Sequence, residues 1–138
     1  GPERFRRAVY TYVKRSSVYP SFLTFDASDR QLSLARRIST NTPLQALVTL
    51  NDPVYREAAK ALGEHMRAKI SGNTDEDILD TRLDYGAQRV LSRDLTTGER
   101  DILRRFYNKV FNANEHQEQV ALTDVASALF NLDAALTR

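Results

Sequence analysis

The chain has 138 residues, 41% hydrophobic and 28% charged, with 20 Lys/Arg against 18 Asp/Glu. That length and apolar content suit one domain with a real core and argue against a disordered chain. No apolar run approaches the roughly 20 residues of a membrane span, so no membrane insertion is expected, and the absence of cysteine removes disulfides, thiolate zinc clusters and a covalent c-type haem attachment.

Gly1-Pro2 carries no initiator Met and reads as the start of a processed or excised piece. In residues 3–15, Phe5, Val9, Tyr12 and Val13 recur at helical spacing. The run Val9-Tyr10-Thr11-Tyr12-Val13 is β-branched and aromatic and also suits a strand; helix is the preferred reading. Residues 16–42 show little periodicity, and an irregular stretch of that length is uncommon in a domain unless it is functional. Phe22, Leu23 and Phe25 are expected to pin it to the core.

Thr42-Pro43-Leu44-Gln45 is a helix start: Thr42 as N-cap, Pro43 at the first helical position and Gln45 completing a capping box. Leu44, Leu47 and Val48 then line one face. Asp52-Pro53 opens a second helix carrying Tyr55, Ala59, Leu62, Met66 and Ile70, which ends near Ser71-Gly72-Asn73. Thr74 precedes Asp75-Glu76-Asp77, acidic residues that suit the positive end of a helix dipole. The stripe of that helix is Leu79, Leu83, Gly86 and Val90. Thr96-Thr97-Gly98-Glu99 is another capping box, leading a helix with Ile102, Leu103, Phe106 and Val110 inside. Leu122, Val125, Leu129, Leu132 and Leu136 mark a last helix running close to the end. The sequence therefore predicts an all-α single domain of about five or six helices with a long irregular N-terminal segment. Residues 1–42 form an N-terminal helix plus loop, 43–72 a helix pair, and 74–138 a three-helix part.

Charge is unevenly placed. Residues 1–70 hold 12 Lys/Arg and 6 Asp/Glu, whereas residues 71–138 hold 8 and 12. A basic half can meet an acidic partner or phosphates. Arg4, Arg6, Arg7, Lys14, Arg15, Arg36 and Arg37, interleaved with Tyr10, Tyr12 and Tyr19, are the groups a nucleic acid would use, but no recognised module accompanies them. The two histidines, His65 and His116, belong to no zinc spacing, so no metal site is expected. No Gly-x-Ser-x-Gly elbow marks a nucleophile, and no Gly-rich cradle marks a phosphate site. Asp26 and Asp29, three residues apart, have two readings: acid–base work in a cleft, or capping and pairing with Arg30, Arg36 or Arg37.

The densest polar run is Arg36-Arg37-Ile38-Ser39-Thr40-Asn41-Thr42, placed just before an apolar helix. Capping accounts for Thr42 and Gln45 but not for Arg36, Arg37, Thr40 and Asn41. Guanidinium forks suit carboxylates or carbonyls, and an amide both donates and accepts. The candidate polar network or ligand site is therefore Asp26, Asp29, Arg30, Arg36, Arg37, Thr40, Asn41, Thr42, Gln45 and Asn51. The arginine pair and Asn41 are expected to rivet the N-terminal wrap to the helical body.

Several stretches carry a family resemblance: Phe5-Arg6-Arg7, Val9-Tyr10-Thr11-Tyr12, Phe25-Asp26-Ala27, Thr40-Asn41-Thr42-Pro43-Leu44-Gln45-Ala46-Leu47, Leu50-Asn51-Asp52-Pro53 and Ala128-Leu129-Phe130-Asn131-Leu132-Asp133. Together they resemble a planctomycete-type C-terminal domain of unknown function, found in large secreted proteins that often carry a cytochrome c-like domain. The chain departs from that pattern at Val13, Ser28 and Ser33, where an aromatic residue, Pro and Cys are common. The resemblance implies an extracytoplasmic, multi-domain parent. Any haem would sit in a neighbouring domain, so no cofactor is expected in this chain. It implies no activity. The favoured function is a non-catalytic interaction or structural module whose partners are neighbouring domains of the same parent. The alternatives are a share in a composite hydrolase-type site for an anionic or glycan substrate, and nucleic-acid binding by the basic half. An interaction module should expose an apolar or charged face that its partner covers.

Overall fold

The structure, a computed structural model, describes residues 8–14, 17–28, 35–36, 40–69, 72 and 74–136. After a 3-10 turn at Ala8–Tyr10, the helices are α1 (Pro20–Thr24), α2 (Pro43–Asn51), α3 (Pro53–Arg67), α4 (Asp75–Leu91), α5 (Thr97–Ala113), α6 (Glu118–Phe130) and α7 (Asp133–Leu136). The fold is all-α, and among the described residues the only β-type contact is an isolated bridge between Lys14 and Ser17.

The helix starts follow the chemistry of their first turns. Thr42 and Gln45 form a reciprocal capping box, as do Thr74 with Asp77 and Thr96 with Glu99. Asp52 caps α3 by accepting the Val54 N–H at 2.8 Å, with Pro53 at the first helical position. The ends rely on left-handed residues. Asp26, with φ of 57°, follows α1, and the N–H groups of Asp26 and Ala27 return to the carbonyls of Leu23 and Phe22. Glu115 closes α5 in the same way, with the His116 N–H donating to the Phe111 carbonyl.

Helix α6 lies at the centre and packs on α2, α3, α4, α5 and α7. Ala121, Leu122, Val125, Ala126 and Leu129 are all fully buried. These five residues form one broad apolar side of α6, and helix α3 packs on it most extensively. The close approach is set by Gly63, where a Cβ would meet the Thr123 backbone nitrogen at 3.0 Å. Gly86 on α4 similarly makes room for Met66 and Leu129, each of which would lie 2.9 Å from an added Cβ. Leu83, Ala87 and Leu91 of α4 and Leu103 and Tyr107 of α5 complete this core. Ion pairs lock α4 to α5: Arg104 Nε donates to Asp80 at 2.6 Å and Arg100 Nη2 to Asp84 at 2.8 Å.

The structure corrects several expectations. Residues 8–14 make a 3-10 turn and then extended chain, with Val9, Tyr10 and Tyr12 exposed, so no helix occupies that part; residues 3–7 lie outside the described residues. The irregular segment contains a short helix, α1, in which Leu23 is exposed while Phe25 packs on the Tyr55 ring at 6.1 Å. Helix α3 stops at Arg67, earlier than the Ser71-Gly72-Asn73 turn; Ile70 lies outside the described residues. Ile102 faces solvent, although Leu103 beside it is buried. The last helix breaks at Asn131–Leu132, leaving Leu136 on the separate α7. Helix α2 turns its leucines outward.

Candidate functional site

Helix α2 is mounted by its polar residues. Gln45 is 1% exposed, and Thr49, one turn on, is also buried. Gln45 spends both ends of its amide. Its Oε1 accepts the Thr42 N–H at 3.1 Å, while Nε2 donates to the Thr24 carbonyl at 2.9 Å and lies 3.3 Å from Thr40 Oγ1. Asp26 receives the Thr40 N–H at 2.7 Å and its hydroxyl at 2.8 Å. Asp26 is thus held at the left-handed end of α1, facing the residue that leads into α2. A carboxylate that accepts backbone and hydroxyl donors is a strong, directional anchor.

The seam continues to the far end of the chain. Thr49 Oγ1 donates to Asn131 Oδ1 at 2.6 Å, and Asn131 Nδ2 donates in turn to the Ser127 carbonyl at 2.9 Å. The Asn41 amide donates to the Asp133 carboxylate at the start of α7. These bonds fasten α1 and α2 onto the C-terminal end of α6. They also fix which side of α2 is inward, because unpaired buried amides and hydroxyls are costly.

Of the ten candidate residues, Asp26, Thr40, Thr42 and Gln45 form one bonded cluster, and Asn41, between Thr40 and Thr42 in the chain, bonds instead to Asp133. Asn51 is apart from them and caps its own helix, donating to the Leu47 carbonyl at 2.8 Å. Arg36 is exposed at a bend and takes no buried rivet position. Asp29, Arg30 and Arg37 lie outside the described residues. The riveting is done by Asp26, Gln45 and Thr49, whose shorter side chains reach partners in a tight seam without the desolvation cost of a guanidinium.

A buried guanidinium does exist, in the other half. Arg82 of α4 is the one charged residue among the buried polar residues that the structure describes. It donates to the Lys69 and Arg67 carbonyls, both at 3.1 Å, and pairs with Glu118 at the start of α6. It therefore satisfies carbonyls left open at the end of α3 and, from the middle of α4, ties that end to the start of α6. Glu118 also receives Arg67 Nε at 2.9 Å. The sequence clue was an arginine placed between Leu79 and Leu83 on a buried stripe. Thr49 and Asn131 carried no comparable local sign.

Among the described residues no three His, Asp or Glu side chains lie together as a metal-holding group, and no helix is long and apolar enough to cross a membrane.

An all-helical body, with a capped helix strapped across it by a Thr-Asn-Thr-Pro-Leu-Gln run, is the class of structure defined so far. The chain belongs to the PSD1 family, described as a protein of unknown function (DUF1553), which matches residues 1–107. The match takes in the whole strapped segment and ends inside α5, short of the 128–138 stretch. No curated protein and no solved structure matches the chain.

Proposed function

We propose that this chain is a non-catalytic interaction module of a larger extracytoplasmic protein, and that α2 is the face it offers to a neighbouring domain. One observation carries this reading. Leu44, Leu47 and Leu50 are 56%, 55% and 47% exposed, and their spacing sets them on one side of α2. Gln45 and Thr49 occupy the opposite side, so the helix presents its apolar side outward. An outward leucine row adds nothing to the stability of a lone domain and favours association. Val9, Tyr10, Tyr12, Tyr19 and Leu23 are exposed in the same N-terminal part, while among the described residues after Leu50 only Ile102 is a large exposed apolar residue. The extracytoplasmic setting rests on the family resemblance.

Hydrogen exchange on the isolated chain and on the intact parent protein tests the reading. Exchange across Pro43–Asn51 should be slower in the parent. The triple variant Leu44→Ser, Leu47→Ser, Leu50→Ser should keep the isolated chain's melting temperature and lose that protection. Equal exchange of α2 in the two settings would overturn the proposal.

A further inference from the structure

A second feature lies on the other side of the molecule. The first turn of α4, the middle of α5 and the start of α6 enclose a cleft of about 450 Å³, within the size range of small-ligand sites. Leu79, Tyr107 and Phe111 give it an apolar and aromatic floor, the two rings stacking with centroids 5.6 Å apart.

Tyr107 is the unusual member. It is only 8% exposed, yet its hydroxyl makes no hydrogen bond among the described residues. Nor is that oxygen among the fully buried orphaned polar atoms, so it reaches the space of the cleft. Buried tyrosines usually find a partner for the hydroxyl. Burial, and then the Glu118 carboxylate, raise its pKa, which keeps the phenol neutral and able to accept as well as donate.

The charges on the walls decide the sign of the ligand. Arg82 is committed to Glu118 and to two α3 carbonyls, and Arg104 places both Nε and Nη2 on Asp80. At the rim, Asp75 and Glu76 make no hydrogen bond or ion pair among the described residues. The cations are therefore spoken for by hydrogen bonds; neither rim carboxylate has a hydrogen-bonded partner, and Glu76 acts on the already paired Arg104 only through its charge. The capping box of α4 uses Thr74 and Asp77, so it does not need either of them.

The geometry points to a binding site for an alkyl guanidinium or alkyl ammonium group, its stem on Leu79 and Phe111, its head between the Asp75 and Glu76 carboxylates, and one N–H donating to the Tyr107 hydroxyl. Such a head group is found on a basic side chain of a protein partner and on a free diamine or agmatine-type cation. Stacked aromatic faces favour it further.

Titration of the isotope-labelled chain followed by backbone NMR tests the site. Agmatine supplies the free cation, N-acetylarginine amide the same head on a peptide backbone, and butyrate a stem of opposite charge. Both cations should give saturable shifts at residues 75–79, 104–111 and 118, and butyrate none. Tighter binding of N-acetylarginine amide identifies a protein side chain as the natural occupant, and tighter or equal binding of agmatine a free cation. Tyr107→Phe removes only an oxygen with no internal partner and should fold normally, and the pair Asp75→Asn, Glu76→Gln leaves the capping box intact; each should weaken binding about fivefold. The proposal is overturned by an absence of cleft shifts at 10-millimolar-order cation, by butyrate binding as well, or by affinities that neither variant changes.

Discussion

Helices α2 and α6 are about equally apolar, yet they face opposite ways. Helix α6 buries Leu122, Val125 and Leu129 on the core side, whereas α2 buries Gln45 and Thr49 and leaves Leu44, Leu47 and Leu50 in solvent. The difference lies in what each helix meets. Helix α6 meets apolar stripes from α3, α4 and α5. Helix α2 meets the Thr24 carbonyl and the polar side chains of Asp26, Thr40 and Asn131. Periodicity tells which residues share a side of a helix; the partners decide which side goes in.

Three changes would break or sharpen that contrast. Arg82→Met has the largest expected effect, because it strips two carbonyls of their partner and leaves Glu118 with Arg67 alone. A loss of about 3 kcal/mol is expected by urea denaturation, and a loss below about 1 kcal/mol would show that the site relaxes. Gln45→Ala should cost less, about 1–2 kcal/mol, and should act locally. Hydrogen exchange should speed up over 42–51 while the amides of α6 stay protected; uniform loss of protection would mean that strap and body unfold as one unit.

The smallest effect concerns acid. Hydrogen bonding from Arg93, then the Thr96 backbone N–H, lowers the Glu99 pKa from 4.5 to about 2. A carboxylate whose pKa is depressed by folding stabilises the fold above its unfolded value, and that contribution fades as pH falls from 4.5 toward about 2. Asp80, whose pKa is lowered by hydrogen bonding from Arg104, acts in the same direction, whereas burial raises the pKa of Asp84 and opposes it. Glu99→Gln should therefore flatten the decline of melting temperature in that acid window and leave the strap's exchange unchanged at neutral pH.

Much of the frame was legible because it is written locally. The capping boxes at Thr42 and Thr96 and the Asp52-Pro53 start each involve residues three apart or fewer, and the structure has all of them. The stripe at Leu83 and Gly86 needed only helical spacing. What stayed hidden depends on distant partners. Leu44 and Leu47 have the spacing of a core face, and only Thr24, Asp26 and Asn131 reveal that the other side is inward. The break before α7 is invisible in the regular run of Leu129, Leu132 and Leu136, because Asn131 is engaged by Thr49 from elsewhere in the chain. Asp26 and Thr40 were singled out as polar residues in need of partners, and they partner each other. The guanidinium rivet was sought at Arg36, where arginines are crowded; the buried one is Arg82, whose ligands lie on two other helices.

The bond from Thr49 to Asn131 spans 82 residues, and the one from Asn41 to Asp133 spans 92. Their acceptors emerge late from the ribosome. At about 5–20 residues per second, roughly 4–16 seconds pass between synthesis of Thr49 and arrival of its acceptor. Throughout that interval the leucine row and its polar underside are both unshielded in the nascent chain, which makes this stretch a natural stopping place for a chaperone.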